Sequence, residues 1–261
     1  MMDSVGGFAV VWHSLNGDWD IYGQRYGLGG EQVGNNFVVN TNRRGHQWNP
    51  VGSMSPNGNF VVMWGSSIGG ENIGGQRYDY FGNPAGEEFQ ANTDTVSSRG
   101  CPSVAVNGAG DLVVVWGVGG NSVYGQRYDA SGDKVGEEFQ VNTTDGSSKR
   151  EPSVAMNNKG EFVVAWMDNG LDGDGWGIAA QVYDGFGREI GDEFVVNTQT
   201  SGSQTSPSIA MGDETYAVVW VSRDQSGAGV YGRVLSIPEP TTAVFILIGG
   251  LLALFRRRHC G

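Results

Sequence analysis

The sequence predicts an all-β protein, a β-propeller of about five four-stranded blades, with a hydrophobic helix at its C-terminus. Three observations carry the fold class. A valine-rich strand ending in tryptophan recurs five times, with Trp12, Trp64, Trp116, Trp166 and Trp220 spaced 52, 52, 50 and 54 residues apart. Glycine makes up 44 of 261 residues while proline is only 8, a balance that signals many tight turns rather than disorder. The stretch Leu112-Val113-Val114-Val115-Trp116 is apolar on both faces. A strand of that kind must be covered on both sides, as in a sheet wedged between two others.

Each repeat spells out four short strands. The first opens near a proline, as in Pro50-Val51, Pro102-Ser103-Val104-Ala105, Pro152-Ser153-Val154-Ala155 and Pro207-Ser208-Ile209-Ala210. Proline at a strand start is expected, because its missing N–H costs no ladder bond there. Hairpin signals such as Ser55-Pro56-Asn57-Gly58 and Asn107-Gly108 lead into the tryptophan strand. After a glycine-rich turn the third strand reads Gly23-Gln24-Arg25-Tyr26, then Gly75-Gln76-Arg77-Tyr78 and Gly125-Gln126-Arg127-Tyr128, decaying to Ala180-Gln181-Val182-Tyr183 and Gly232-Arg233-Val234. The fourth is Phe37-Val38-Val39-Asn40-Thr41, matched at 89–93, 139–143 and 194–198. These units are similar to the propeller-like repeats of large secreted bacterial proteins, whose units also run through a valine-rich strand to tryptophan and then Gln-Arg-Tyr-Asp.

Residues 1–235 are thus expected to form one repeat domain with an incomplete first blade. Met2 and Phe8 align with Met156 and Phe162, inside a unit and after its first strand. The expected strand order is three, four, four, four and three. The sequence is expected either to begin at an internal methionine, with the missing strands and an export signal supplied from upstream, or to come from a fragment of a gene.

Residues 236–261 carry a different signal. Pro238-Glu239-Pro240 stays extended, since each proline fixes φ and disfavours helix in the residue before it. An uncharged run over 243–255 follows, then Arg256-Arg257-Arg258. The run is shorter than the ~20 residues an unassisted spanning helix needs, and the arginines hold their end in the cytoplasm. The order resembles the PEP-CTERM sorting tail of Gram-negative bacteria, with His259-Cys260-Gly261 extending past the usual end. That resemblance implies export, an exosortase-type processing enzyme as partner, an inner-membrane intermediate, and display at the cell surface or release outside.

Net charge is −12, from 16 basic and 28 acidic residues. Such a surface repels nucleic acid and anionic lipid, which excludes a DNA- or RNA-binding role. Cys101 and Cys260 provide neither a disulfide framework nor a zinc spacing.

Candidate chemistry is sparse. In the turn Asp168-Asn169-Gly170-Leu171-Asp172-Gly173-Asp174 the three aspartates are candidate calcium ligands, against the reading of a solvated Asp/Gly turn outside the EF-hand register. No other cofactor is expected. Trp19, Trp48 and Trp176 lie outside the strand series and are candidate stacking platforms for a polysaccharide, or aromatic covers for blade edges. Arg25, Arg77 and Arg127 lapse to Val182 and Val234, which suits bridges between blades better than an anion site. Glu87-Glu88, Glu137-Glu138 and Asp192-Glu193 recur at one repeat position and so read as structural. Cys101 takes the slot of Asn49, Glu151 and Ser206 and reads as exposed and incidental. His13 and His46 are scattered, and no nucleophile elbow, HExxH or phosphate loop occurs. The expectation is an exported protein with a non-catalytic binding or structural role, polysaccharide-associated; the alternative is a propeller glycosidase or lyase acting on extracellular polysaccharide.

Overall fold

The structure, a computed structural model, describes residues 1–93, 99–224 and 227–238. These residues are all β, in five antiparallel sheets. The first holds β1 (Phe8–Asn16), β2 (Asp18–Tyr26) and β3 (Gln32–Val38). The second holds β4 (Gln47–Met54), β5 (Phe60–Ser66), β6 (Asn72–Tyr78) and β7 (Phe89–Gln90). The third holds β8 (Arg99–Val106), β9 (Leu112–Val118), β10 (Ser122–Tyr128) and β11 (Lys134–Gln140). The fourth holds β12 (Lys149–Met156), β13 (Phe162–Asn169), β14 (Trp176–Tyr183) and β15 (Glu189–Val195). The fifth holds β16 (Ser203–Met211), β17 (Thr215–Asp224) and β18 (Gly227–Ser236). Strand order within each sheet follows the chain.

The first strands of sheets two to five, β4, β8, β12 and β16, lie side by side in succession. They form the inner wall of the fan, and the later strands of each sheet radiate from it. Apolar clusters fill each joint between neighbouring sheets: one seats Phe60, Val62 and Trp64 against Ile21 and Val39, and another seats Val113, Val115 and Val123 against Phe162, Val164 and Trp166. The two apolar faces of the tryptophan strand are both used, and Val113, Val114, Val115 and Trp116 are fully buried.

Polar repeats tie the joints. The glutamates at 88, 138 and 193 accept the backbone N–H of Thr41, Thr93 and Thr143 in the preceding sheet, at 2.6, 2.8 and 2.8 Å. The repeated arginines reach the next sheet's turn: Arg77 donates to Asp129 O at 2.7 Å and Arg127 to Gly185 O at 2.8 Å, while Arg25 donates to Phe81 O. Within each sheet, Asn40, Asn92, Asn142 and Asn197 accept the buried N–H of Ile21, Ile73, Val123 and Ile178 at 2.7–2.8 Å. Asn142→Ala leaves the Val123 N–H buried and unpaired; a loss of about 1–3 kcal/mol is expected, read as a lowered urea midpoint.

One local expectation is corrected. The prolines do not start the inner strands. Each strand begins three or four residues earlier, and the ladder to the tryptophan strand skips a step between Trp48 and Val51, Gly100 and Ser103, Arg150 and Ser153, and Thr205 and Ser208. Proline sits in a bulge, where its absent N–H removes no ladder bond.

The fan ends in two apolar faces. Val10 of the first sheet is 46% exposed, where its repeat equivalents Val62, Val114 and Val164 are fully buried. Val219 of the fifth is 42% exposed, where Met63, Val115 and Ala165 are fully buried. The expected C-terminal helix, the apolar run 243–255, and Glu239, Pro240, Arg256, Arg257 and Arg258 lie outside the described residues; Pro238 is the last one described. Among the described residues no helix is long and apolar enough to cross a membrane.

Candidate functional site

The bulges of the inner wall place one exposed side chain per sheet at its rim. Asn49, Cys101, Glu151 and Ser206 each precede the bulge proline, and each holds a left-handed backbone, with φ of 50, 50, 49 and 56°. For residues with a Cβ this conformation is strained, by roughly 1–3 kcal/mol apiece, and such strain concentrates at functional sites. The residue before a proline is also pushed away from helical conformations, so the bulge itself must hold each one in place. All four side chains are exposed. A carboxamide, a thiol, a carboxylate and a hydroxyl therefore line an open arc along four neighbouring inner strands, called the annulus below, and Glu151 is its acid.

The annulus is electrostatically coupled. The Cys101 thiol is pushed up from its ordinary value, first by burial against the wall and then by the Glu151 carboxylate; the Arg150 guanidinium opposes both. The thiol thus stays protonated to higher pH. Alkylation of Cys101, followed by peptide mapping, is expected to be slow at neutral pH and to accelerate in Glu151→Gln; an unchanged rate would separate the two side chains.

Two rim clusters flank the annulus. Asn49 donates its N–H to His13 Nδ1 at 3.3 Å, and the His13 ring meets Trp19 edge-on with centroids 4.9 Å apart. The Trp19 backbone N–H points to His46 Nδ1 at 3.4 Å, and the Asp18 carboxylate lies 3.9 Å from the same nitrogen. Trp19 is 37% exposed. On the far side the Arg150 guanidinium lies over the Trp176 ring at 5.4 Å, next in sequence to Glu151. Trp48 packs against Gly65, where an added Cβ would come within 2.7 Å of its Nε1, so it covers a strand as well as edging the rim. The three tryptophans belong to three different sheets. Trp19 and Trp176 have partners that lead to the annulus, through His13 and Arg150. Sequence reasoning placed the histidines as scattered, but the fold joins His13 and His46 through Trp19.

The three aspartates of the calcium candidate are separated by their partners. Asp168 is fully buried, 3.1 Å from the Lys149 ammonium, and accepts from Ser147 Oγ at 2.6 Å. Asp172 accepts from Asn197 Nδ2 at 2.7 Å, and Asp174 from the Gly202 N–H at 3.1 Å. Asp168 is a strand residue held by a cation, not a member of the loop, and among the described residues no three acidic, histidine or cysteine side chains gather to hold a metal.

No family model matches the sequence, and no curated protein is similar to it. Solved structures do match. The α-L-arabinanase of Penicillium chrysogenum complexed with arabinobiose is 12% identical with a TM-score of 0.57, over 88% of this chain and 72% of that one. The GH43 endo-arabinanase from Bacillus licheniformis is 12% identical with a TM-score of 0.47, over 88% and 90%. A GH43_1 enzyme from Xanthomonas citri is 15% identical with a TM-score of 0.48, over 88% and 84%. The likeness to the Penicillium enzyme supports the fold, a propeller-type arrangement of three- and four-stranded antiparallel sheets. It also corrects the expectation of a non-catalytic binding or structural protein. That expectation rested on the tail, the repeats and the absence of a catalytic set, whereas the fold lays inner strands some fifty residues apart in sequence side by side.

Proposed function

We propose that this chain is a propeller glycosidase acting on an extracellular polysaccharide, with the substrate lying across the annulus. The observation that carries the reading is Glu151, a carboxylate on strained backbone at the inner rim, flanked by the Arg150–Trp176 stack. A glycosidase uses two carboxyl groups, one of which protonates the leaving oxygen. Glu151 takes the first role; the second is assigned to half-exposed Asp18, linked to Asn49 through His46, Trp19 and His13, and requires ring closure to bring the two carboxyl groups within about 10 Å. Trp19 and Trp176 offer apolar faces on which sugar rings stack. In this reading the ring is closed, with the fifth sheet's exposed face meeting the first sheet's.

The tail supports an exported setting for that activity. The Pro238-Glu239-Pro240 triplet, the apolar run and Arg256-Arg257-Arg258 fit processing by an exosortase-type membrane enzyme, with the arginines cytoplasmic beforehand and the repeat domain outside. The surface of net charge −12 suits a neutral polymer better than an acidic one.

The test is incubation of the full-length protein with a panel of neutral and acidic polysaccharides, arabinan included, with product analysis. New reducing ends without unsaturated sugars support hydrolysis. Unsaturated ends signify elimination and replace the glycosidase by a lyase. Intact polymers in the presence of folded protein overturn the proposal.

A further inference from the structure

In sheets one to four the residue before the repeated asparagine keeps its carbonyl off its own ladder. The asparagine Oδ1 takes the N–H that the carbonyl would otherwise receive, that of Ile21, Ile73, Val123 or Ile178. The carbonyls of Val39, Ala91, Val141 and Val196 are left to face the next sheet, and three of them are met there. Lys134 Nζ donates to Ala91 O at 3.2 Å, Tyr183 Oη to Val141 O at 3.3 Å, and Arg233 Nη1 to Val196 O at 3.1 Å. A buried carbonyl without a donor costs free energy, so the bond is remade with whatever donor each joint supplies.

The joint between sheets one and two breaks the series. Val39 is 2% exposed, and among the described residues no donor is bonded to its carbonyl. The reason is a single residue. Pro84 faces Tyr78 across the ladder where Lys134 faces Tyr128, and proline brings no side-chain donor. A cleft of about 570 Å³ opens there, walled by Phe37, Val39, Tyr78, Pro84, Glu87 and Glu88. The rest of the joint is repeated. The Phe37 and Tyr78 rings lie tilted with centroids 5.4 Å apart, as Phe89 and Tyr128 do at 5.3 Å. Glu88 holds the Thr41 N–H and hydroxyl through Oε2 alone, as Glu138 holds Thr93, which keeps its Oε1 open to a cation.

We infer that this cleft binds a primary ammonium group, seated on the Val39 carbonyl as the next joint seats the Lys134 ammonium on Ala91. The ammonium donates to the carbonyl, the Glu88 carboxylate offsets its charge, and the Phe37 and Tyr78 rings receive its apolar stem. A chain of net charge −12 draws such cations toward it. The inference stands apart from the glycosidase reading, since the cleft lies among the outer strands β3 and β6 and not on the inner wall.

The probes are n-butylammonium, which copies the Lys134 side chain, and methyl glucosaminide, which carries the same group on a sugar. Each is titrated into full-length protein labelled at the carbonyl carbons of valine and alanine. Saturable movement of the Val39 resonance is expected, while that of Ala91, already held by Lys134, stays still. The probe that binds tells whether the source is an alkyl amine or an amino sugar. n-Butanol, which lacks the charge, should bind at least about tenfold more weakly. Pro84→Lys places the third sheet's residue in the cleft, and should abolish uptake and raise the urea midpoint. The inference is overturned if neither probe moves Val39, if Val39 and Ala91 move together, or if butanol binds as well as butylammonium. Uptake retained by folded Pro84→Lys overturns it too, and the parent titrations decide alone should that variant not fold.

Discussion

Lys149→Ala is expected to cost the protein about 3–5 kcal/mol of folding stability, the range for removing one partner of a buried ion pair. Lys149 and Asp168 are both fully buried and 3.1 Å apart, and the ammonium also donates to Ser147 Oγ at 2.9 Å. Deleting the cation strands a carboxylate away from water, and the penalty is set by that carboxylate rather than by the lost attraction. The repeat supplies its own control. Where the fourth sheet has Lys149 and Asp168, the fifth has Gln204 and Ser222, whose side chains lie 3.5 Å apart. The second has Gln47 and Ser66, both buried. The double substitution Lys149→Gln with Asp168→Ser transplants a neutral pair already accepted at equivalent positions, and should recover most of the loss. Urea unfolding of the parent and the two variants decides the matter. A single variant that loses less than about 1 kcal/mol would mean that water reaches the carboxylate.

The second large effect falls on activity. Glu151→Gln should lower kcat by about 10²–10⁴-fold, the usual contribution of a positioned proton-transfer group. Glutamine keeps the size of the side chain and accepts the same left-handed backbone, which Asn49 shows is open to a carboxamide. The fold should therefore persist, and a circular dichroism spectrum and unfolding midpoint like those of the parent would establish that the loss is chemical. Asp18→Asn should act in the same direction, while Glu137→Gln, at an exposed position beside Glu138, should leave turnover unaltered. Turnover retained by Glu151→Gln would remove this carboxylate from the reaction.

How much of this was legible in the chain depends on the range of the interaction. The tryptophan strands, the arginine bridges and the asparagine ties are repeated, so periodicity reveals them: a side chain that returns every fifty residues is answering the same neighbour each time. The expected strand order of three, four, four, four and three is the order of the five sheets. The annulus was visible only as a slot whose occupant changes before a fixed proline. Change reads as indifference in a linear string, and Cys101 was set aside on that ground. In space it marks side chains whose backbone is constrained while their chemistry is free. The Lys149–Asp168 pair was hidden for another reason. Asp168 stands next to an Asp/Gly-rich turn, and composition assigns it to the turn; only the register of β12 on β13, which sets Lys149 opposite Asp168, reveals its burial. The proline bulge was missed because proline at a strand start and proline at a skipped ladder step share the same sequence signature.

The strained positions of the inner rim have an evolutionary meaning. Their conformation is imposed by the bulge, and the four sheets already tolerate Asn49, Cys101, Glu151 and Ser206 at φ values within a few degrees of one another. Address and content are thus uncoupled. A descendant of this chain could rewrite the lining of its mouth one codon at a time, exchanging an acid for an amide or a thiol for a hydroxyl, without renegotiating the packing of any sheet.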